Sequence, residues 1–159
     1  MSSDTTRTVS GRQRSATEIV ALAFGVVFLV VGVLGFIPGI TTDYDTMTWA
    51  GQNSDAKLLG VFEVSVLHNL VHLAFGVVGI LMARRIERAR MYLIAGGVIY
   101  FAVWIYGVTI NHDDAANFLP VNDADNWLHL GIAVAMIVIG GFLPPLETRN
   151  AELPSQRMD

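Results

Sequence analysis

Four long apolar stretches alternate with polar segments along the chain. The first, residues 19–37, is almost wholly apolar and ends at Pro38-Gly39, a pair that stops a helix. Apolar runs resume at 66–83, 91–110 and 127–143, the last closed by Pro144-Pro145. About 20 apolar residues, in a range of roughly 17–25, cross a hydrocarbon core about 30 Å thick. The pattern therefore predicts an all-α membrane protein with four transmembrane helices. A cleaved signal peptide is the competing reading of the first run, but its apolar core would span only about 7–15 residues.

The segments between the runs divide the chain further. Residues 1–18, with Arg7, Arg12 and Arg14 among serines and threonines, lack the apolar content to fold alone and are expected to be a polar tail. Residues 41–60 form the longer loop, where Trp49 and the Leu58-Leu59 pair are expected at the membrane surface, since tryptophan favours that interface. The short basic turn at 84–90 joins the second and third spans as an antiparallel hairpin, and 111–126 is a second, acidic loop. Residues 19–143 thus make one transmembrane domain, and 144–159 a second tail.

Composition agrees with a membrane protein: 53% of residues are hydrophobic and only 15% charged, with a mean hydropathy of +0.51. The absence of cysteine removes disulfides, thiolate metal sites and thiol catalysis. Charge adds orientation. Nine of the ten lysines and arginines lie in the tails and the 84–90 turn, leaving Lys57 alone in a loop. Positive residues flanking spans are retained in the cytoplasm, so both termini are expected there. The expected partners are the lipid bilayer and other membrane proteins or a second copy of the chain, not nucleic acid.

A polar motif occurs twice. His68-Asn69-Leu-Val-His72-Leu73 returns fifty-seven residues later as Asp125-Asn126-Trp-Leu-His129-Leu130, matching Asn69 with Asn126 and His72 with His129. The first and third spans also align without gaps, Gly25 to Gly35 against Gly97 to Gly107, at an offset of seventy-two. Two helical hairpins related as a parallel repeat are the expectation, and such repeats often share a site at their interface. Residues three or four apart share a helix face, which places His68, His72, Gly76 and Gly79 together, pointing into the bundle. Gly25, Gly32 and Gly35, and Gly131 with Ala135, are the further candidate helix contacts, because small residues let helices approach.

With Phe62-Glu-Val-Ser-Val-Leu-His68-Asn69-Leu-Val-His72 and Asp123-Ala-Asp-Asn126-Trp-Leu-His129 on one chain, residues 17–146 resemble the domain-of-unknown-function family 4383, four-span bacterial membrane proteins. The resemblance implies a fold and an inner-membrane setting, and assigns no reaction. Ser65 departs from the family pattern, where asparagine is expected by analogy with Asn122.

The chemistry rests on histidine. His68 and His72 at i and i+4 have the spacing of a paired metal site, but Asn69 stands where a His-Glu-x-x-His protease needs its glutamate. Asn69 and Asn126 are expected to support the helix starts or the neighbouring imidazoles. Three readings of His68, His72 and His129 stay open: structural ties between helices; ligands of a divalent metal, with His72 and His129 alternatively holding haem b; or a path for protons or ions. The function expected first is a structural or accessory subunit of a membrane complex, without enzymatic activity. A haem- or metal-binding electron carrier comes second and a small transporter or channel third.

Overall fold

The computed structural model describes residues 13–51, 54–111 and 118–143. The far tails, Pro144-Pro145, Asn53, His112, Asp113 and Asp114, on which part of the sequence reading falls, lie outside the described residues. Four α-helices make the body: α1 (Ala16–Leu34), α2 (Val66–Met82), α3 (Ile86–Thr109) and α4 (Asp123–Phe142). Three of them, α1, α3 and α4, are long and apolar enough to cross a membrane, while α2 has 17 residues.

Helix α1 begins and ends three residues earlier than the apolar run suggested. Ser15 starts it: its Oγ accepts from the Glu18 N–H at 3.2 Å, and the Glu18 carboxylate accepts from the Ser15 N–H at 2.8 Å. This reciprocal capping box satisfies two otherwise orphaned donors. At the other end the Thr41 hydroxyl bonds the carbonyls of Leu34 and Gly35, both at 3.2 Å, and the helix stops. Helix α3 starts at Ile86 rather than 91 because Glu87, Arg88 and Arg90 extend it beyond the apolar run. Arg90 donates to the Gly141 carbonyl at 2.8 Å, which places a cation at the negative end of α4.

The tightest packing pairs α1 with α2 and α3 with α4. Glycine makes the approach possible: a Cβ on Gly25 would lie 2.7 Å from the Ile80 nitrogen and 3.0 Å from the Gly76 carbonyl oxygen. A Cβ on Gly97 would lie 3.0 Å from the Ile137 nitrogen and 2.9 Å from the Ala133 carbonyl oxygen. Gly76 and Gly79 belong to the first contact, as the sequence suggested, and Gly32 faces Leu73. Gly131 does not belong to the second. It faces outward with nothing near it, because it lies two residues, more than half a helical turn, from the inward His129. Ala133 occupies the contact instead, beside Gly96, Gly97 and Gly140, which the sequence reading passed over.

Ala21, Phe28, Leu93, Tyr100, Ala133 and Met136 fill the core between the helices. The opposite faces are apolar too: Val27, Leu81, Val98, Ile99, Val134 and Val138 are all roughly half exposed. A soluble monomer rarely shows so continuous an apolar surface. Against hydrocarbon it is the solvated side.

The loop after α1 is more ordered than its polarity suggested. Three two-residue strands, β1 (Thr41–Thr42), β2 (Lys57–Leu58) and β3 (Phe62–Glu63), form an antiparallel sheet in that order, pairing Thr41 with Leu58 and Leu58 with Phe62. Leu58 is buried with Ala56 and Val64 against Val31 and Leu34, whereas Leu59 is turned out at a φ of 54°. The expected surface pair is thus divided, and of the three residues expected at the surface Trp49 and Leu59 are exposed and Leu58 is not. The loop also completes α2: the Val66 and Leu67 N–H groups donate to the Thr48 and Trp49 carbonyls. Those donors have no partner inside the helix.

Candidate functional site: a buried histidine cluster

The starts of α2 and α4 build the site. Ser65 caps α2 by accepting from the His68 N–H at 3.2 Å, and Asn122 caps α4 by accepting from the Asp125 N–H at 3.0 Å. Serine therefore does at 65 what asparagine does at 122. The caps correct the roles given to Asn69 and Asn126, which lie a turn further on and support neither helix start. Their amides rest against the ends of the preceding helices instead. Asn126 donates to the Gly107 carbonyl at 3.1 Å, and the Asn69 side chain fills the space that a Cβ on Gly35 would need.

Beyond the caps, His68, Asn69 and His72 of α2 and Asn126 and His129 of α4 all point inward and are buried. Ring contacts run from His72 to His68, with centroids 4.5 Å apart, and on from His68 to His129 at 6.3 Å. The structure brings together the three histidines singled out in the sequence, with His68 as the link. Two further rings from α1 and α3 line the cluster. Phe28 stacks on His72 at 5.8 Å, Tyr100 tilts against His129 at 5.3 Å, and Phe28 and Tyr100 stack on each other at 5.2 Å. No motif announced these two residues, although they occupy matching places in the ungapped alignment of the first and third spans.

The polar atoms of the cluster are unevenly satisfied. Asp125 accepts from the Asn122 N–H and from the Glu63 N–H across the loop, both at 3.0 Å. His68 has the Pro120 backbone carbonyl as its acceptor. In contrast, Nδ1 of His72, Nδ1 of His129 and the Oδ1 atoms of Asn69 and Asn126 are buried without a hydrogen-bond partner among the described residues. The bonds expected from these imidazoles to Asn69 and Asn126 are not made. An unsatisfied buried polar group costs about 1–3 kcal/mol, so each of the four calls for an explanation.

Coordination of one metal ion by His68, His72 and His129 is not formed in this conformation. Among the described residues no group of three or more His, Cys, Asp or Glu is placed to hold a metal ion. The His68 and His129 rings are near-parallel, with planes 28° apart and centroids 6.3 Å apart.

Two cavities reach the cluster. One, about 70 Å³, lies between α2 and α3 beside Val71, Phe75, Ile99 and Val103. The other, about 200 Å³, lies between α1 and α4 beside Val27, Val31, Leu128 and Ile132. All three histidines line both.

Residues 18–142 match the family model described as Domain of unknown function (DUF4383). The chain belongs to this family. The matched region runs from the capping Glu18 to the last residue of α4, so it holds both Asn-x-x-His turns and nearly all of the four helices. No curated protein and no solved structure matches the chain. For a DUF4383 protein the arrangement of the side chains themselves must carry the functional argument.

Proposed function

We propose that this DUF4383 protein is a four-span integral membrane protein, built from two repeated hairpins, that serves as an accessory subunit of a membrane complex. The observation that carries the reading is the matched helix contact. Gly25 meets residues 76 and 80, Gly97 meets 133 and 137, and each partner pair is displaced by the same fifty-seven residues that separate the two Asn-x-x-His turns. Glycine contacts of this kind hold transmembrane helices together, where lipid removes the hydrophobic drive for association. Helix α2 serves as the fourth span on this reading. Its 17 residues rise about 25 Å, within the shorter range of spans, and its glycine contact holds it alongside α1.

The count of positive residues supports an orientation with the 84–90 turn and both termini in the cytoplasm and the histidine end outside, and the family resemblance supports a bacterial inner membrane. Apolar outward faces that include the ring pair Phe101–Trp104 offer surface for a partner subunit as well as for lipid. Cysteine labelling in intact cells tests the orientation. An impermeant reagent reaches a cysteine at the exposed Asp55 and not one at Arg88; the reverse pattern overturns it. Ser54 is unsuitable for labelling because it is buried and bonded to the Val64 carbonyl. Crosslinking in the membrane followed by purification tests the accessory role, which fails if the chain is recovered only alone. An absorption spectrum of the same material tests the alternative of haem held by His72 and His129.

A further inference from the structure

The two cavities beside the histidines differ in a way the sequence explains. Val27, Phe28 and Val31 of the α1–α4 cleft stand seventy-two residues before Ile99, Tyr100 and Val103 of the α2–α3 cleft. Leu128 and Ile132 stand fifty-seven residues after Val71 and Phe75. The walls correspond position by position, yet Phe75 is the larger counterpart of Ile132. Phe75 packs edge-on against both Phe28 and Tyr100, at 5.5 and 5.6 Å, and fills its side of the bundle. One cleft is left at about 70 Å³ and the other at about 200 Å³. A cavity of about 150 Å³ accepts a benzene ring, whereas the smaller space suits a water or two.

Val27 and Leu128, each roughly half exposed on the face turned to hydrocarbon, line the larger cleft together with the exposed Leu59 of the loop. His72 and His129, whose Nδ1 atoms lack hydrogen-bond partners among the described residues, are also in its wall. Among the described residues no lysine or arginine lines it and Asp125 is its single charged side chain, so a phosphate-bearing headgroup would meet no counter-charge there and one like charge. A neutral, flat ring bearing oxygen matches these walls: imidazoles and Phe28 flank it, an imidazole nitrogen donates to its carbonyl or accepts from its hydroxyl, and an apolar tail leaves toward lipid. We propose that the α1–α4 cleft binds a lipid-soluble 1,4-quinone or its quinol, with the ring against His72 and His129 and the tail passing between Val27 and Leu128. The site is reached sideways from the bilayer.

The test uses the full chain in lipid nanodiscs and a decyl-tailed 1,4-benzoquinone, with binding measured by calorimetry and corrected for partition into empty discs. One saturable site per chain is expected. His129→Phe keeps the ring packing but loses a hydrogen bond, and weakens binding about tenfold. Ile132→Phe copies Phe75 into the open cleft and abolishes binding with the histidines intact, whereas Ile99→Phe, at the mouth of the other cleft, changes affinity by less than about twofold. Thermal unfolding of each variant confirms that it is folded. Partition without saturation by folded wild-type protein overturns the proposal, as does wild-type affinity in Ile132→Phe. Equal competition by decylcyclohexane also overturns it, because the cleft would then accept any apolar filling.

Discussion

His68 and Asp125 occupy the same place in two different helices, the third residue after the cap, and each reaches across to the other half of the molecule. Asp125 accepts the Glu63 N–H at 3.0 Å, and His68 has the Pro120 carbonyl as acceptor. Residues 63 and 120 are themselves fifty-seven apart, so the two ties correspond position for position. Their chemistry differs because proline has no N–H to give. At 120 the backbone presents only an acceptor, which an imidazole N–H can meet and a carboxylate cannot.

That difference predicts an asymmetric cost of substitution. Asp125→Ala removes the capping box of α4 and leaves the Glu63 N–H without its acceptor, lowering stability by about 1–3 kcal/mol. His68→Asp is expected to cost more than His68→Gln, since glutamine can still donate to Pro120 and aspartate faces it with like polarity. Thermal unfolding in detergent reads both comparisons, and equal losses for the two His68 variants would remove the cross-tie as a determinant of stability.

The glycines make a second prediction. Gly25→Ala and Gly97→Ala each drive a methyl against the backbone of a neighbouring helix, where nothing can swing aside, and each is expected to cost about 1–3 kcal/mol. Gly131→Ala meets open space and is expected to be neutral or to stabilise by about 0.5–1 kcal/mol, through the better helix propensity of alanine. Comparing the three midpoints of unfolding separates packing from propensity.

Much of this was legible in the sequence, for reasons that particular residues make clear. The helices announced themselves through uninterrupted apolar length, and the convergence of His72 and His129 through a polar motif that returns at a fixed offset. The start of α1 was legible as well, since Ser15 and Glu18 have capping-box spacing, but the apolar run drew attention to residue 19. The sheet was not legible: strands of two residues are too short for alternation to register, and nothing in Leu58-Leu59 says which leucine turns inward. Helical spacing put His68 on the inner face without revealing that it, rather than His72, touches the ring of His129. Gly131 was assigned a contact because it is small, whereas the phase of the helix, set by Asn126, His129, Ala133 and Met136, turns it away.

The unsatisfied nitrogens make the last prediction. If His72 and His129 served only to tie helices, each should hold a hydrogen bond at Nδ1, and its replacement by a nonpolar ring should destabilise the fold. Here Nδ1 has no partner among the described residues in either case, while each ring packs against another: His72 lies nearly parallel to Phe28, with planes 16° apart, and His129 rests against Tyr100. Phenylalanine at either position keeps the ring contact and removes a buried polar atom that has nothing to bond. His72→Phe and His129→Phe are therefore expected to raise the stability of ligand-free protein, each by about 1 kcal/mol, as replacements of unsatisfied polar groups do. Asn126→Leu is the control: its amide donates to the Gly107 carbonyl, and the loss of that bond should lower stability. Thermal unfolding in detergent without added quinone reads the sign. A fold that gains from losing its histidines keeps them for something other than stability, as sites that trade stability for function do. A loss of stability in both phenylalanine variants would return the imidazoles to the role of helix ties.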